Sequence, residues 1–287
     1  MDILLGVVFT GLAYGMVLYI ISVGLSVTMG LLGVVNLAHG SFAMAGGYVM
    51  IEAMSRGGLP YSVGLVVAAL VIAIVSLVLE RTLYRVVYKR GEFDQILLSM
   101  GIIFVSMAMA HAAYGPLPQP IELPTTMLGQ LHIGAYAFPT YRVFLIIFGF
   151  ATFVALWLSI EKSRIGMRIR AAVDNRAMAE SVGIDTNVLF MLVFSTGCAL
   201  AAIGGALGAN LVPLVPGYPL EHLTYFLIVV AVGGSGSIKG PFLAALLLGL
   251  GDSACKMLAP QFGAFFIYIA LFVVLTIRPA GLFAGQR

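Results

Sequence analysis

Asn36, His39 and Ser41 place an amide, an imidazole and a hydroxyl within six residues of one another, in a stretch without a single Asp, Glu, Lys or Arg from Ile3 to Ile51. An unpaired polar group in hydrocarbon costs several kcal/mol, so these side chains must find partners inside the protein or line a wet path. Asn36 suits an interhelical hydrogen bond and a place on a solute pathway equally well. His39, an ionisable group in an apolar run, is a candidate for contact with a solute or a gate. Catalysis by a Ser41–His39 pair is disfavoured by spacing, because residues two apart on a helix point to different sides. Gly40, Ala43, Gly46 and Gly47 are small at roughly helical spacing, as closely approaching helix backbones require.

A second concentration of unusual residues is Gly233-Gly234-Ser235-Gly236-Ser237-Ile238-Lys239-Gly240. It fails the phosphate-loop pattern, since Lys239 is followed by Gly240 and Pro241 with no hydroxyl placed for magnesium, and it fails GxGxxG. Two uses remain: a glycine-lined break in a membrane helix, which would add Gly233, Gly234 and Gly236 to the pathway, or a tight turn. Asp252 and Lys256 stand four apart in an otherwise uncharged segment, so one helix face can pair them. Glu221 and His222 follow Pro219, either as a helix start or as a surface for an external partner. Cys198 and Cys255 lie in apolar stretches with no metal-ligand neighbours and read as small buried residues. There is no HExxH, and the four histidines, at 39, 111, 132 and 222, are dispersed.

The elements that hold these residues follow from composition. Of 287 residues 61% are hydrophobic and 9% charged, against about 25% charged in soluble domains. The expected fold is all-α, a polytopic membrane bundle forming a single transmembrane domain over 1–287. A single helix over the opening uncharged run would be about 74 Å long, more than twice a hydrocarbon core, so it must fold back, near Met29 to Gly33. With no basic start, the first segment is expected to be retained. Further apolar runs at about 62–80, 95–114, 143–160, 187–212, 222–233, 241–257 and 262–277 bring the total to eight or nine spans, the one at 222–233 being half-length or broken.

Basic residues orient the bundle. Arg81, Arg85, Lys89 and Arg90 occupy one loop and Lys162, Arg164, Arg168, Arg170 and Arg176 another, nine of the fifteen Lys and Arg. The positive-inside rule makes both loops cytoplasmic, puts the Lys-free, Arg-free loop 115–141 outside, and by alternation places the N-terminus outside and the C-terminus, with Arg278 and Arg287, inside. The net charge of +3 is accounted for by these loops and gives no case for nucleic-acid binding.

The longest polar interruption is the cytoplasmic stretch 161–187. Asp174 or Asn175 is placed to cap a short helix from Arg176 to Val182, and Gly183 to stop it. Its alanines allow close approach, and Met178, Val182 and Ile184 offer an apolar face. The sequence RAAVDNRAMAESVGID resembles the cytoplasmic coupling loop of bacterial ABC-importer permeases. GLLGVVNLAHGSFAMAGGY (Gly30 to Tyr48) and VVAVGGSGSIKGPFLAALLLGLGD (Val229 to Asp252) are similar to signatures of the branched-chain amino-acid permease family, in its shorter membrane subunit.

The resemblance implies a non-catalytic transport subunit in the bacterial inner membrane. It implies pairing with a second permease subunit, two cytoplasmic ATP-binding subunits that hold the ATP and magnesium, and a periplasmic solute-binding protein, with no cofactor on this chain. Ala171, Ala172, Asn175, Ala179, Glu180 and Gly183 would form the ATPase coupling site. Where many members have a Lys before the glycine run, this chain has Tyr225-Phe226, which keeps urea, short amides and aromatic or other organic acids beside amino acids as substrates. The rival class is an ion-coupled carrier or channel, which also uses broken helices but needs carboxylates in its spans, where the sequence offers Asp252.

Overall fold

A computed structural model describes residues 2–33, 36–88, 90–133, 136–263, 265–278 and 281–282. Lys89 and Arg287, two of the basic residues used above, lie outside the described residues. The chain is a bundle of helices: α1 (Asp2–Leu32), α2 (His39–Ser55), α3 (Tyr61–Leu79) continuing through a π turn (Glu80–Tyr84) into the short α4 (Arg85–Val87), and α5 (Glu92–Tyr114). After a hairpin of β1 (Gln130–Ile133) and β2 (Tyr136–Pro139), with Leu131 opposite Phe138, come α6 (Thr140–Glu161), α7 (Arg164–Asp174) and α8 (Arg176–Ser181). The last helices are α9 (Thr186–Gly208), α10 (Tyr218–Gly233), α11 (Lys239–Leu258) and α12 (Phe266–Ile277).

Among the described residues six helices are long and apolar enough to cross a membrane, and α10 and α12 are shorter apolar helices. With α2 they account for the nine apolar segments of the sequence. The opening run folds back where expected, α1 ending at Leu32 and Gly33 taking φ +63°.

α1 is the axis. Met16, Val17, Leu18, Tyr19, Ile20 and Ile21 are consecutive and all buried, more than a full turn, which happens only to a helix surrounded by protein. It packs on α11, α9, α6 and α10, while α2 packs on α9, α3 and α10. Contact is made backbone to backbone: a carbon added at Gly24 would overlap the carbonyl of Gly197 on α9, and one added at Gly30 would overlap the backbone nitrogen of Gly236. Small residues at such crossings supply the dispersion contacts that the hydrophobic effect cannot supply inside lipid.

α5 is built the other way round. Its buried residues include Gln95 and Ser99, and its exposed ones include Phe93 and Phe104. In water this would be inside out; in a bilayer the apolar face meets lipid and the polar face must turn to protein.

Candidate functional site

The three polar residues of the first segment go three ways. Tyr84 donates to the Asn36 side-chain oxygen at 2.8 Å, leaving the buried Asn36 Nδ2 without a partner among the described residues. The π turn carries one extra residue per turn, which rotates the side chains after Glu80 and brings Tyr84 inward. His39 Nε2 lies 2.8 Å from the Ile21 carbonyl; that oxygen only accepts, so Nε2 carries the proton and ties α2 to α1, while Nδ1 has no partner among the described residues. Ser41 turns to α5 and accepts from Ser106 at 2.8 Å. His39 and Ser41 thus face different helices.

Ser41 lies on the wall of a cavity of about 1050 Å³ between α2, α3 and α5. One face of α2 (Ser41, Ala45, Tyr48, Glu52) forms one wall, Ile72, Val75, Leu79 and Leu83 a second, and Leu98, Ile102, Val105 and Met109 of α5 a third. The cavity runs from Leu97 to Tyr114 along α5, about 25 Å, most of a hydrocarbon core. At the end bearing the β hairpin, Tyr48 and Tyr114 stack with ring centroids 4.3 Å apart. The Ser41–Ser106 bond lies about 11 Å further along. Glu52 is the one Asp, Glu, Lys, Arg or His among the described lining residues, and it pairs with Arg56 at 3.0 Å.

Hydroxyls tie the α3 wall to α9, which contributes no lining residue among those described. Ser76 donates to Ser195, and Ser195 to the Ala73 carbonyl at 2.8 Å, joining α3 to α9. Sequence reasoning missed Tyr84, Ser76, Ser99, Ser106 and Ser195. The available signal was Gln95, Ser99 and Ser106, four and seven apart in an apolar run and therefore on one helix face. It also counted only Asp252 as a carboxylate within the spans; Glu80, buried in the π turn that prolongs α3, is a second.

The glycine run is a connector between two helices, not a gap within one. α10 ends at Gly233 and α11 begins at Lys239, with Gly234 and Gly236 at φ +88° and +82°. Gly233 and Gly234 are buried and Gly236 half-buried. The connector is pinned to α1, since Gly236 N donates to the Ser26 carbonyl at 3.1 Å and Ser26 Oγ to the Ser237 carbonyl at 3.2 Å. None of the three glycines is among the cavity-lining residues described.

The stretch 161–187 holds two helices where the sequence reading found one, α7 being the addition. Its signal was present: Ile169 and Ala172 point inward while Arg164, Arg168 and Arg170 stay out, a helical period. Asn175 separates the two helices and caps α8, accepting from Met178 N at 3.0 Å, and Gly183 takes φ +87° just beyond it. Ala172 and Ala179 are buried inside this chain, whereas Ala171 is exposed. Glu180 accepts from Thr186 and from Arg176, which hold its carboxyl below the usual range. The surface left outward is Met178, 65% exposed, and Val182, 72% exposed.

At the start of this stretch Glu161 pairs at 3.2 Å with Lys239, the first residue of α11 directly after the connector, and the Lys162 and Lys239 ammoniums sit 5.7 and 5.6 Å from the Trp157 ring centroid. The stretch 161–187 is therefore tied to the start of α11, where the glycine connector ends. Asp252 and Lys256 form the expected pair at 2.7 Å. His222 stacks on Tyr218 in the first turns of α10, and Glu221 is exposed in its first turn.

Crossing helices packed through glycines, and a long cavity with polar groups at its waist and one end, define a membrane transport permease. A family model described as the permease component of branched-chain amino acid transport systems matches residues 7–275, and the chain belongs to that family. It is 26% identical to the high-affinity branched-chain amino acid transport permease LivH of Escherichia coli strain K12, covering 96% of this chain and 93% of that one. Identity is also 26% to BraD, the corresponding permease of Pseudomonas aeruginosa PAO1, covering 95% and 93%. A solved structure, PsaBC from Streptococcus pneumoniae in complex with Fab, superposes over 96% of this chain and 91% of its own with a TM-score of 0.50 at 13% identity, a likeness of fold alone.

Proposed function

We propose that the chain is one transmembrane domain of an ATP-driven importer that carries a small aliphatic solute, a branched-chain or related amino acid, from periplasm to cytoplasm across the bacterial inner membrane. The observation that carries this is the cavity between α2, α3 and α5: its aliphatic walls suit a branched hydrocarbon side chain and offer urea or short amides few hydrogen bonds. The relatives named above are branched-chain amino acid permeases, which supports the same substrate class.

In this reading the hairpin end faces the periplasm and meets a solute-binding protein, with the N-terminus outside and the C-terminus inside. A second permease subunit completes the path. Two cytoplasmic ATPase subunits, which bind the ATP and magnesium, dock on α8 through Met178 and Val182. Asn175, Glu180 and Gly183 shape that loop, and Ala172 and Ala179 pack it, so the docking contact itself falls to its outward side chains and Ala171. The Glu161–Lys239 pair then conveys loop movement to the connector and α1. ATP binding biases the helices only by the difference in its affinity for the two states.

The test is uptake of radiolabelled leucine by proteoliposomes holding the assembled complex. Ser106→Phe, which fills the cavity, is expected to reduce uptake at least tenfold with assembly intact; unchanged uptake rejects the cavity as the path. Met178→Asp is expected to lose the ATPase on co-purification while the permease still inserts.

A further inference from the structure

The hairpin end of the cavity carries a group of side chains that packing does not explain. Tyr48 is 4% exposed, lines the cavity, and its hydroxyl has no hydrogen-bond partner among the described residues. A buried hydroxyl without a partner is costly and marks a place where a missing group is accommodated. One turn further on the same helix face stands Glu52, and Tyr114 of α5, stacked on Tyr48, lines the same end of the cavity. The ion pair of Glu52 is with Arg56, whose side chain is 83% exposed. Pairs of that kind are weak and readily exchanged.

We infer that Glu52, Tyr48 and Tyr114 form a subsite for a primary ammonium group at the mouth of the cavity, and that Arg56 occupies the carboxylate when no solute is present. A carboxylate supplies the counter-charge and one strong acceptor, and the Tyr48 oxygen supplies a second acceptor. Among the described residues lining the 1050 Å³ below it, no other Asp, Glu, Lys, Arg or His competes, so an ammonium entering the cavity meets its partner here. An aliphatic amine would bind head at Glu52 and tail toward Ala45 and Ser106, whereas the matching alcohol or carboxylate would lose the charge pair or be repelled. The inference rests on the reading of this cavity as the solute path and adds to it the residues that select the head group.

The experiment uses the full-length chain in right-side-out membrane vesicles, with Cys198→Ala and Cys255→Ser removing the native thiols and Ser106→Cys placing a reporter in the cavity. Its modification by neutral hydroxyethyl methanethiosulfonate is timed with increasing isobutylammonium, isobutanol or isobutyrate. The expected result is that isobutylammonium slows modification and the other two do not, and that Glu52→Gln raises the half-protecting concentration about ten- to hundredfold, as for loss of a charged hydrogen bond. Tyr48→Phe raises it less. Absence of any modification closes the cavity to water and rejects the path reading with the subsite. Modification without ammonium-specific protection, or protection indifferent to Glu52→Gln, overturns the subsite alone. If Glu52→Gln alters the unprotected rate, Arg56→Gln decides: protection at lower ammonium concentration supports the subsite, and unchanged protection overturns it.

Discussion

The α1–α9 crossing and the α2–α5 facing pair both join apolar helices, yet they are made of different things. At the first, Gly24 and Gly197 let two backbones touch, and every neighbouring side chain of α1 is buried. At the second, a cavity separates the helices, which meet through a hydroxyl pair and a tyrosine stack. Close backbone contact has no soft mode, because any shift loses many dispersion contacts at once. One hydrogen bond and one stack have alternatives at little cost, which is what a wall that must part to admit a solute requires. The bundle therefore concentrates its rigidity along α1 and leaves α5 replaceable.

Two glycine substitutions break this contrast most strongly. Gly24→Leu should drive a side chain into the Gly197 backbone, cost at least about 3 kcal/mol, and leave little folded protein on size exclusion in detergent. Gly101→Ala on α5, where an added carbon meets nothing within 4 Å, should leave the thermal midpoint unchanged or raise it by the usual mid-helix preference of about 0.5–1 kcal/mol. Equal loss in both would mean that α5 is as tightly held as α1.

The seam between the two regions gives a smaller effect. Asn36→Ala leaves the buried Tyr84 hydroxyl without its acceptor and should lower stability by about 1–2 kcal/mol in a detergent melt. Combining it with Tyr84→Phe should restore part of the loss, since both polar partners are then gone. A double variant as unstable as the sum of the two would show that this bond does not join the regions.

The smallest effect lies outside both. The Glu180 carboxyl is held below its ordinary range first by the Thr186 hydroxyl and then by Arg176. A depressed carboxyl adds stability above its unfolded value of about 4.3 and loses it as pH falls through the folded value. Thr186→Val should therefore loosen protease resistance of 161–187 at pH 7, with the difference from the parent chain shrinking toward pH 4; a difference that grows on acidification would contradict the assignment.

Much of this was legible in the residues. The absence of charge from Ile3 to Ile51 required the fold-back that ends at Leu32, and Asn175 and Gly183 marked the ends of α8. The Asp252–Lys256 pair followed from four-residue spacing. The site was less legible, because a polar residue in an apolar run announces that it needs a partner and says nothing about which. Asn36, His39 and Ser41 looked like one cluster and face Tyr84, Ile21 and Ser106. The glycine run allowed either a pathway break or a tight turn, and what the spacing did not show is that Gly236 leaves room for the close approach of α1 at Gly30.

Sequence alone determined that this chain spans a membrane many times, and where its polar interruptions fall, because the cost of charge and unpaired backbone in hydrocarbon acts on every residue whatever its neighbours. Only the tertiary structure decided which helices touch and which stand apart. Glycine permits a close crossing without naming its partner, and a cavity exists only as the space left between helices distant in sequence.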